Sequence, residues 1–243
     1  MKHIAIYYIA TDKYKEAFNY FKQDLKYFYP NFRKTIIILS DGLEECDNVI
    51  EDNITYKVYH IDHFTWPIIT LFKMKYIYDH RIDCDYVCYF NADLQYNKDY
   101  FDPELSILDL NKLNVTEHAY AYYYNRKYDN DLFYDMKIDE TYKKFLSENS
   151  ISWIDGKYKY IQGCFFFGPS DIVYEMCNDI NNMVNTDLKI NVIPKYHDES
   201  YLNKWVLLNI EKVAKPKRLV SNYKICYKNI PFKLVNVLNK SFK

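Results

Sequence analysis

The run His197-Asp198-Glu199-Ser200-Tyr201 sets three ionisable side chains at adjacent positions. Neighbouring residues on a helix point about 100° apart, so Asp198 and Glu199 cannot share one solvated stripe. Two readings follow. At a helix start, acidic side chains complement the positive end of the backbone dipole. In a site, adjacent carboxylates grip hydroxyl groups or act on a reacting carbon. His197 fits either a satisfied core position or a hydrogen bond to a ligand. A second motif, Asn91-Ala92-Asp93, follows an apolar run. Asn and Asp are common turn formers, yet a carboxylate there also suits a divalent cation, since hard cations prefer oxygen ligands.

These residues need a frame. Residues 4–10 form a continuous apolar run, suited to a strand covered on both faces. Residues 13–29 carry Tyr14, Phe18, Phe21, Leu25 and Phe28 at helical spacing, with Pro30 beyond the end. A β-branched strand over 35–39 closes on the turn Ser40-Asp41-Gly42. Residues 54–61 alternate like a strand near an edge, and Pro67 opens a helix over 68–80. A third buried strand covers 85–90. The order β-α-β-β-α-β predicts an α/β sheet with helices on both faces. Ligands then sit beyond the carboxyl ends of the strands, where Thr11, Asp12, Asp41, Asn91 and Asp93 fall. Further on, the pattern predicts strands over 117–124 and 158–167, and loop plus helix over 128–149. It also predicts helices over 170–184, with Asp171 in the first turn, and over 197–208 after Pro194. No Gly-x-Gly-x-x-Gly and no Walker loop occur, which argues against a dinucleotide enzyme or a P-loop NTPase.

The 243 residues, 49% hydrophobic and 27% charged, are enough for one domain with a full core. A net charge of −1 argues against a nucleic-acid partner. No apolar run approaches the roughly 18 residues of a membrane span, and the N-terminal segment reads as a strand rather than a signal peptide. The six cysteines form no Cys-x-x-Cys pair, so buried thiols in a reducing cytoplasm are expected. The 28 Tyr and 15 Phe fit sugar-stacking platforms, but beside only 4 Gly they also fit an AT-rich coding sequence. From Lys212 onward the chain turns basic. That suits a solvated surface, a diphosphate contact or an anionic membrane face.

Five segments, in order, resemble the blood-group A/B-type α1,3-galactosyl/N-acetylgalactosaminyltransferases, glycosyltransferase family six, and in particular its short bacterial branch. They are Tyr8-Ile-Ala-Thr-Asp-Lys-Tyr14, Thr65-Trp-Pro67 with Thr70-Leu-Phe-Lys-Met74, and Phe90-Asn-Ala-Asp-Leu94 at the family's Asp-x-Asp position. Tyr160-Ile-Gln-Gly-Cys-Phe-Phe-Phe-Gly168 and His197-Asp-Glu-Ser200 with Leu202-Asn-Lys204 complete the set, the last being the most diagnostic. The resemblance implies a GT-A type fold, one Rossmann-like mixed sheet flanked by helices. It implies a single domain over 1–243, with a nucleotide-binding part at about 1–100 and an acceptor and catalytic part at about 101–243. The expected thiols and the missing membrane anchor of mammalian relatives fit a cytoplasmic protein, and the basic tail offers, as one alternative, peripheral contact at the inner membrane.

By the same resemblance, Ile9, Ala10, Thr11 and Tyr14 hold uracil and ribose, and Lys73, Asn91 and Asp93 lie near the diphosphate. Gln162, Gly163 and Cys164 border the donor sugar, and Asp198 and Lys204 bind the donor. His197, Trp66 and Tyr196 face the acceptor. Glu199 lies below the anomeric carbon, as nucleophile or as a stabiliser of developing positive charge. The implied reaction is retaining transfer from a UDP-sugar to an oligosaccharide or glycolipid galactoside. Cys164, larger than glycine, narrows the room for an acetamido group and points to galactose over N-acetylgalactosamine. Lys73 stands where relatives carry arginine, so charge is kept but the bidentate fork is lost. Asn91-Ala-Asp93 departs from the two aspartates of manganese-using relatives. Weak or no metal dependence is expected, with Asp93 the one carboxylate for Mn2+ if a metal is used. The family's paired central arginines are also missing, with only Arg126 between 118 and 134. Two alternatives stand beside this reading. One is a metal-dependent phosphohydrolase built on Asp41, Asp93, His197 and Asp198. The other is a non-catalytic carbohydrate-binding protein.

Overall fold

Strands β1 (His3–Ile9) and β2 (Arg33–Ser40) are buried almost from end to end, and their residues alternate between two apolar layers. Ala5, Tyr7, Ile37 and Leu39 join one cluster; Ile4, Ile6, Tyr8, Ile36 and Ile38 join the other. That alternation is the geometry of a strand sandwiched on both faces. The computed structural model describes residues 1–15, 18, 22, 25–43, 46–51, 53–64, 68–92, 94–96, 108–117, 149–154, 161–194, 196–215, 217–218 and 232–234.

The remaining strands are β3 (Cys46–Glu51), β4 (Ile54–His60), β5 (Tyr86–Phe90), β6 (Leu94–Tyr96), β7 (Asn114–Glu117), β8 (Ile161–Pro169), β9 (Lys217–Arg218) and β10 (Phe232–Leu234). Eight of them form one sheet in the order β3-β4-β2-β1-β5-β8-β7-β9, and β6 pairs with β10 in a separate antiparallel ribbon. The centre, β4-β2-β1-β5, is parallel. β3 runs antiparallel at one edge, and β8 lies antiparallel between β5 and β7. A mixed sheet flanked by helices is the arrangement expected of a GT-A fold.

Helices α1 (Ile68–Leu71), α2 (Lys73–Asp79), α3 (Ser170–Lys189) and α4 (His197–Leu208) all contribute to the first cluster, through Leu71, Met74, Ile77, Val173, Ile180, Leu202 and Trp205. Helices on both faces were expected. Among the described residues, the second face is covered by Phe18, which is helical, and by Leu25, Phe28 and Tyr29. Of the helix expected over 13–29, the described residues show 3-10 turns at Asp12–Lys15 and Leu25–Tyr27 and a helical Phe18 whose carbonyl accepts the Lys22 N–H (3.1 Å), most of 16–24 lying outside the described residues; Tyr29 takes a φ of 45° just before Pro30. A left-handed residue followed by proline ends any helix there.

The helix over 68–80 is two pieces meeting at Phe72, and the helix from 170 runs on to Lys189. The strand expected over 117–124 is described at 114–117; its remainder and the segment 128–148 lie outside the described residues. Strands β3, β6, β9 and β10 were not expected. No helix among the described residues is long and apolar enough to cross a membrane. Cys84, Cys88, Cys164 and Cys177 are free thiols.

Candidate active site

The site lies where β5 ends and β8 begins. Phe90, the last residue of β5, pairs with Phe165 of antiparallel β8, so residues 161–164 project past the carboxyl ends of the parallel strands. Opposite them stands the first turn of α4. Its start is fixed locally: the His197 N–H donates to Pro194 O (3.0 Å), the Glu199 N–H to Tyr196 O (2.9 Å), and the Tyr196 N–H to Ser200 Oγ (3.2 Å). A side chain reaching back to the capping residue is one way helix starts satisfy their orphan donors. His197 has a φ of 46°. This left-handed conformation is costly for a residue with a side chain and is concentrated at functional sites.

Asp198 and Glu199 sit in the positive first turn of α4, as the capping reading requires, but their hydrogen bonds cross to the sheet and to α2. Lys73 Nζ donates to Asp198 Oδ2 (2.6 Å) and to Gly163 O (2.8 Å). Glu199 Oε1 accepts the Gly163 N–H (2.8 Å). Gly163 thus gives both backbone groups to the site, and its lack of a side chain makes this possible. A Cβ there would stand 2.9 Å from Asp198 Oδ2, 2.9 Å from Glu199 Cγ and 3.3 Å from Lys73 Nζ.

The Lys73–Asp198 pair is buried, with both side chains 7% exposed. Burial works against the ammonium, but Asp198, Tyr89 and Glu199 outweigh it and hold Lys73 above the ordinary lysine range. Its Nζ also lies 4.8 Å from the centre of the Tyr89 ring. Burial pushes the His197 imidazole down, partly offset by Asp198. It is therefore biased to the neutral form, which can both donate and accept a hydrogen bond.

Asn203 completes the frame. Its Oδ1 accepts the Ile161 N–H (2.7 Å), while its Nδ2 donates to Ile161 O (2.9 Å) and Glu199 O (2.7 Å). One buried amide thus pairs with β8 as a neighbouring strand would, and ties it to the first turn of α4. Asn203 was quoted above only as part of a motif. The available signal was an amide four residues after Glu199, on the same helical face.

The structure brings together Lys73, Gly163, Asp198 and Glu199, with His197 and Tyr196 beside them on the chain. At the adjoining end of β1, Ile9 is half-buried and Ala10 and Thr11 are buried. Tyr14 lies on the turn closed by its own N–H to Thr11 O (3.0 Å). Asn91 Oδ1 accepts the Tyr89 hydroxyl (2.9 Å), and the Asn91 N–H donates to Cys164 O (2.8 Å). Gln162 is half-buried. Cys164 is buried in the second cluster, its Sγ 3.9 Å from Thr116 Oγ1, on the layer away from α2 and α4. Lys204 is not gathered in; its Nζ donates to Trp153 O (2.8 Å). Trp66 and Asp93 lie outside the described residues.

Of the Asn91-Ala92-Asp93 motif, the Asn91 side-chain oxygen is engaged by the Tyr89 hydroxyl. Among the described residues, no group of three or more His, Cys, Asp or Glu could hold a metal ion. Of the phosphohydrolase set, Asp93 lies outside the described residues and the two described aspartates have separate partners. Asp41 is held at the end of β2 by Lys15 (3.2 Å) and His63, whereas Asp198 belongs to Lys73.

No protein-family model matches the chain. The chain is similar to the O-antigen biosynthesis glycosyltransferase WbnI of Escherichia coli, 26% identical over 213 residues, which cover 85% of this chain and 82% of that protein.

Proposed function

We propose that this protein is a retaining glycosyltransferase that moves galactose, or N-acetylgalactosamine, from a UDP-sugar onto a galactoside of a surface glycan in α1,3 linkage. The observation that carries the reading is the Glu199 carboxylate anchored by the Gly163 N–H, beside the buried Lys73–Asp198 pair, beyond the carboxyl ends of the parallel strands. The similarity to an O-antigen glycosyltransferase supports the same class of chemistry.

In this reading the chain works as one domain, with nucleotide contacts from about 1–100 and acceptor contacts from about 101–243. Tyr14 supplies an aromatic face to uracil, with Ile9, Ala10 and Thr11 beneath it. Asp198 accepts donor-sugar hydroxyls, and Lys73, hydrogen-bonded to it, holds it in orientation. Glu199 faces the anomeric carbon, where its charge is matched to the oxocarbenium-like transition state. Its bond to Gly163 fixes its direction in advance. His197 and Tyr196 face the acceptor. Gln162 and Gly163 border the donor sugar more directly than Cys164, whose thiol is buried on the other layer. Positive charge from Lys73 and the basic tail meets the departing diphosphate.

The test is UDP release from a panel of UDP-sugars with a galactoside acceptor, run in EDTA and again with manganese. Release with UDP-galactose that persists in EDTA is expected. Release of phosphate from donors without acceptor would replace this reading with hydrolysis, and sugar binding without turnover would replace it with a lectin.

A further inference from the structure

Three neighbouring parallel strands, β1, β2 and β4, end on the same edge of the sheet as the site, and one carboxylate joins the segments that follow all three. Asp41, the residue after β2, has its side chain only 4% exposed. Lys15, in the 3-10 turn after β1, reaches Asp41 Oδ1 (3.2 Å), and His63, three residues after β4, meets Oδ2 through Nδ1 (2.5 Å). The backbone is fastened at the same point. Ser40 Oγ donates to Ala10 O (2.7 Å) and accepts the Gly42 and Leu43 N–H groups (3.3 and 3.2 Å), while the Ile61 N–H donates to Ser40 O (2.9 Å). Gly42 makes room for the lysine. A Cβ there would stand 2.6 Å from Lys15 Nζ and 3.6 Å from its Cδ and Cε, so the Lys15 stem crosses this glycine to reach Asp41.

The cluster is poorly suited to stabilising the fold. Lys15 is 32% exposed and His63 58%, and ion pairs open to water contribute little. Asp187 shows what a structural carboxylate looks like in this chain. It is buried in the last turn of α3, and its donors are neutral: Ser150 Oγ, the Ile151 N–H (3.0 Å) and the Tyr201 hydroxyl of α4 (2.8 Å). Asp41 instead gathers segments on the ligand side of the sheet. One of them is the turn Asp12–Lys15, four residues long and closed by the bond from the Tyr14 N–H to Thr11 O. So short a 3-10 turn does not hold its shape alone. Lys15 directly follows Tyr14, so a tether on its Nζ fixes the backbone from which the half-buried Tyr14 ring projects.

We propose that Asp41 is a positioning residue for the nucleotide. Through Lys15 it holds the Tyr14 turn against β1 and β2, presetting the aromatic face on which the base stacks, and through His63 it braces the same point from β4. The identity of the ligand, a uridine diphosphate group, rests on the glycosyl-transfer reading. A preset turn lowers the ordering cost of binding, so the tether acts on affinity for the nucleotide and not on the turnover of bound donor.

The experiment is calorimetric titration of the full chain with UDP, beside thermal melts and steady-state transfer kinetics. Lys15→Met keeps an aliphatic stem over Gly42 but removes the tether. It should bind UDP about five- to tenfold more weakly, the scale of one misplaced aromatic contact, with the melting temperature unchanged. KM for the donor should rise by the same factor while kcat stays the same. Asp41→Asn, which keeps the shape but weakens both links, should lose at least as much affinity. The deciding comparison is made in a Tyr14→Ala background, where adding Lys15→Met should weaken UDP no further, because the tether acts through Tyr14. Lys15→Met protein that binds UDP like the wild type would overturn the proposal. Full additivity with Tyr14→Ala would overturn it too, by giving Lys15 an effect that does not pass through Tyr14. Wild-type protein that binds UDP but transfers no sugar would sink the glycosyl-transfer reading and leave this comparison, made on UDP alone, in force. Wild-type protein that does not bind UDP would end both.

Discussion

The parallel centre of the sheet and the β7–β8 corner solve the same problem in opposite ways. From His3 to Ile9, β1 is in unbroken register with β2, so the backbone pairs with backbone and the side chains only fill two layers. At the corner the register jumps: Val115 pairs with Phe166, but Thr116 pairs with Gln162. Within that break the Gly163 N–H is paired by Glu199 and Gly163 O by Lys73, and just before it the Asn203 amide pairs with Ile161. Buried backbone groups must find partners, and here side chains of α2 and α4 supply them. The strand holds the carboxylates in place, and the carboxylates hold the strand.

Substitutions can separate those two duties. Glu199→Gln keeps an oxygen for the Gly163 N–H but removes the charge. Transfer should fall at least about 100-fold with UDP binding and melting temperature preserved, the scale of losing a nucleophilic or charge-stabilising group. Turnover like that of the wild type would remove Glu199 from the chemistry and leave it only as a strand partner. Gly163→Ala attacks from the other side, since its Cβ would stand 2.9 Å from both Asp198 Oδ2 and Glu199 Cγ. Steady-state kinetics should show kcat reduced on the order of 10- to 100-fold, because small displacements of a positioned group are that costly.

Asn203→Ala leaves the Ile161 N–H and C=O without their partner in a buried setting. Denaturant unfolding should record a loss of about 2–3 kcal/mol, the usual penalty for orphaned polar groups. A neutral result would mean that the Asn203 amide does not hold the start of β8.

The smallest effect lies at the opposite end of the sheet. Lys34 in β2 is buried, and that burial lowers its pKa to about 8 although its Nζ donates to Tyr29 O and Phe32 O. Below that value both folded and unfolded chains carry the charge, and burying it costs stability. As pH rises through it, the folded protein loses the proton first, and wild-type stability climbs. Lys34→Met should therefore be more stable by about 1 kcal/mol at pH 7, with the gap narrowing by pH 9 in paired thermal melts.

The two regions also differed in how openly the sequence announced them. β1, β2, β4 and β5 are apolar or alternating runs bounded by turn residues, and α4 begins at His197 because Pro194 and the change of period mark it. β3 was missed because Cys46-Asp-Asn-Val-Ile-Glu51 offers only two β-branched residues among polar ones; its place is set by pairing with β4. The break at Phe72 carries neither Gly nor Pro to signal it. The site residues were nameable from the motif, but not their contacts. Lys73 and Asp198 lie 125 positions apart, and Asn203 and Ile161 lie 42 apart. Such long-range pairings follow from which elements pack together, not from any local pattern. Lys204 shows the reverse: a motif neighbour that the helical turn points away, to Trp153.

Asp187 gives the segment 149–154 an internal clock. The Ile151 amide is tied to a carboxylate that also holds α4 through Tyr201, yet the Ile151 side chain stands in solvent. Its hydrogen should exchange with deuterium on the timescale of α3 and α4 opening rather than that of a surface loop. That one amide would then report how often the floor beneath α4 comes loose.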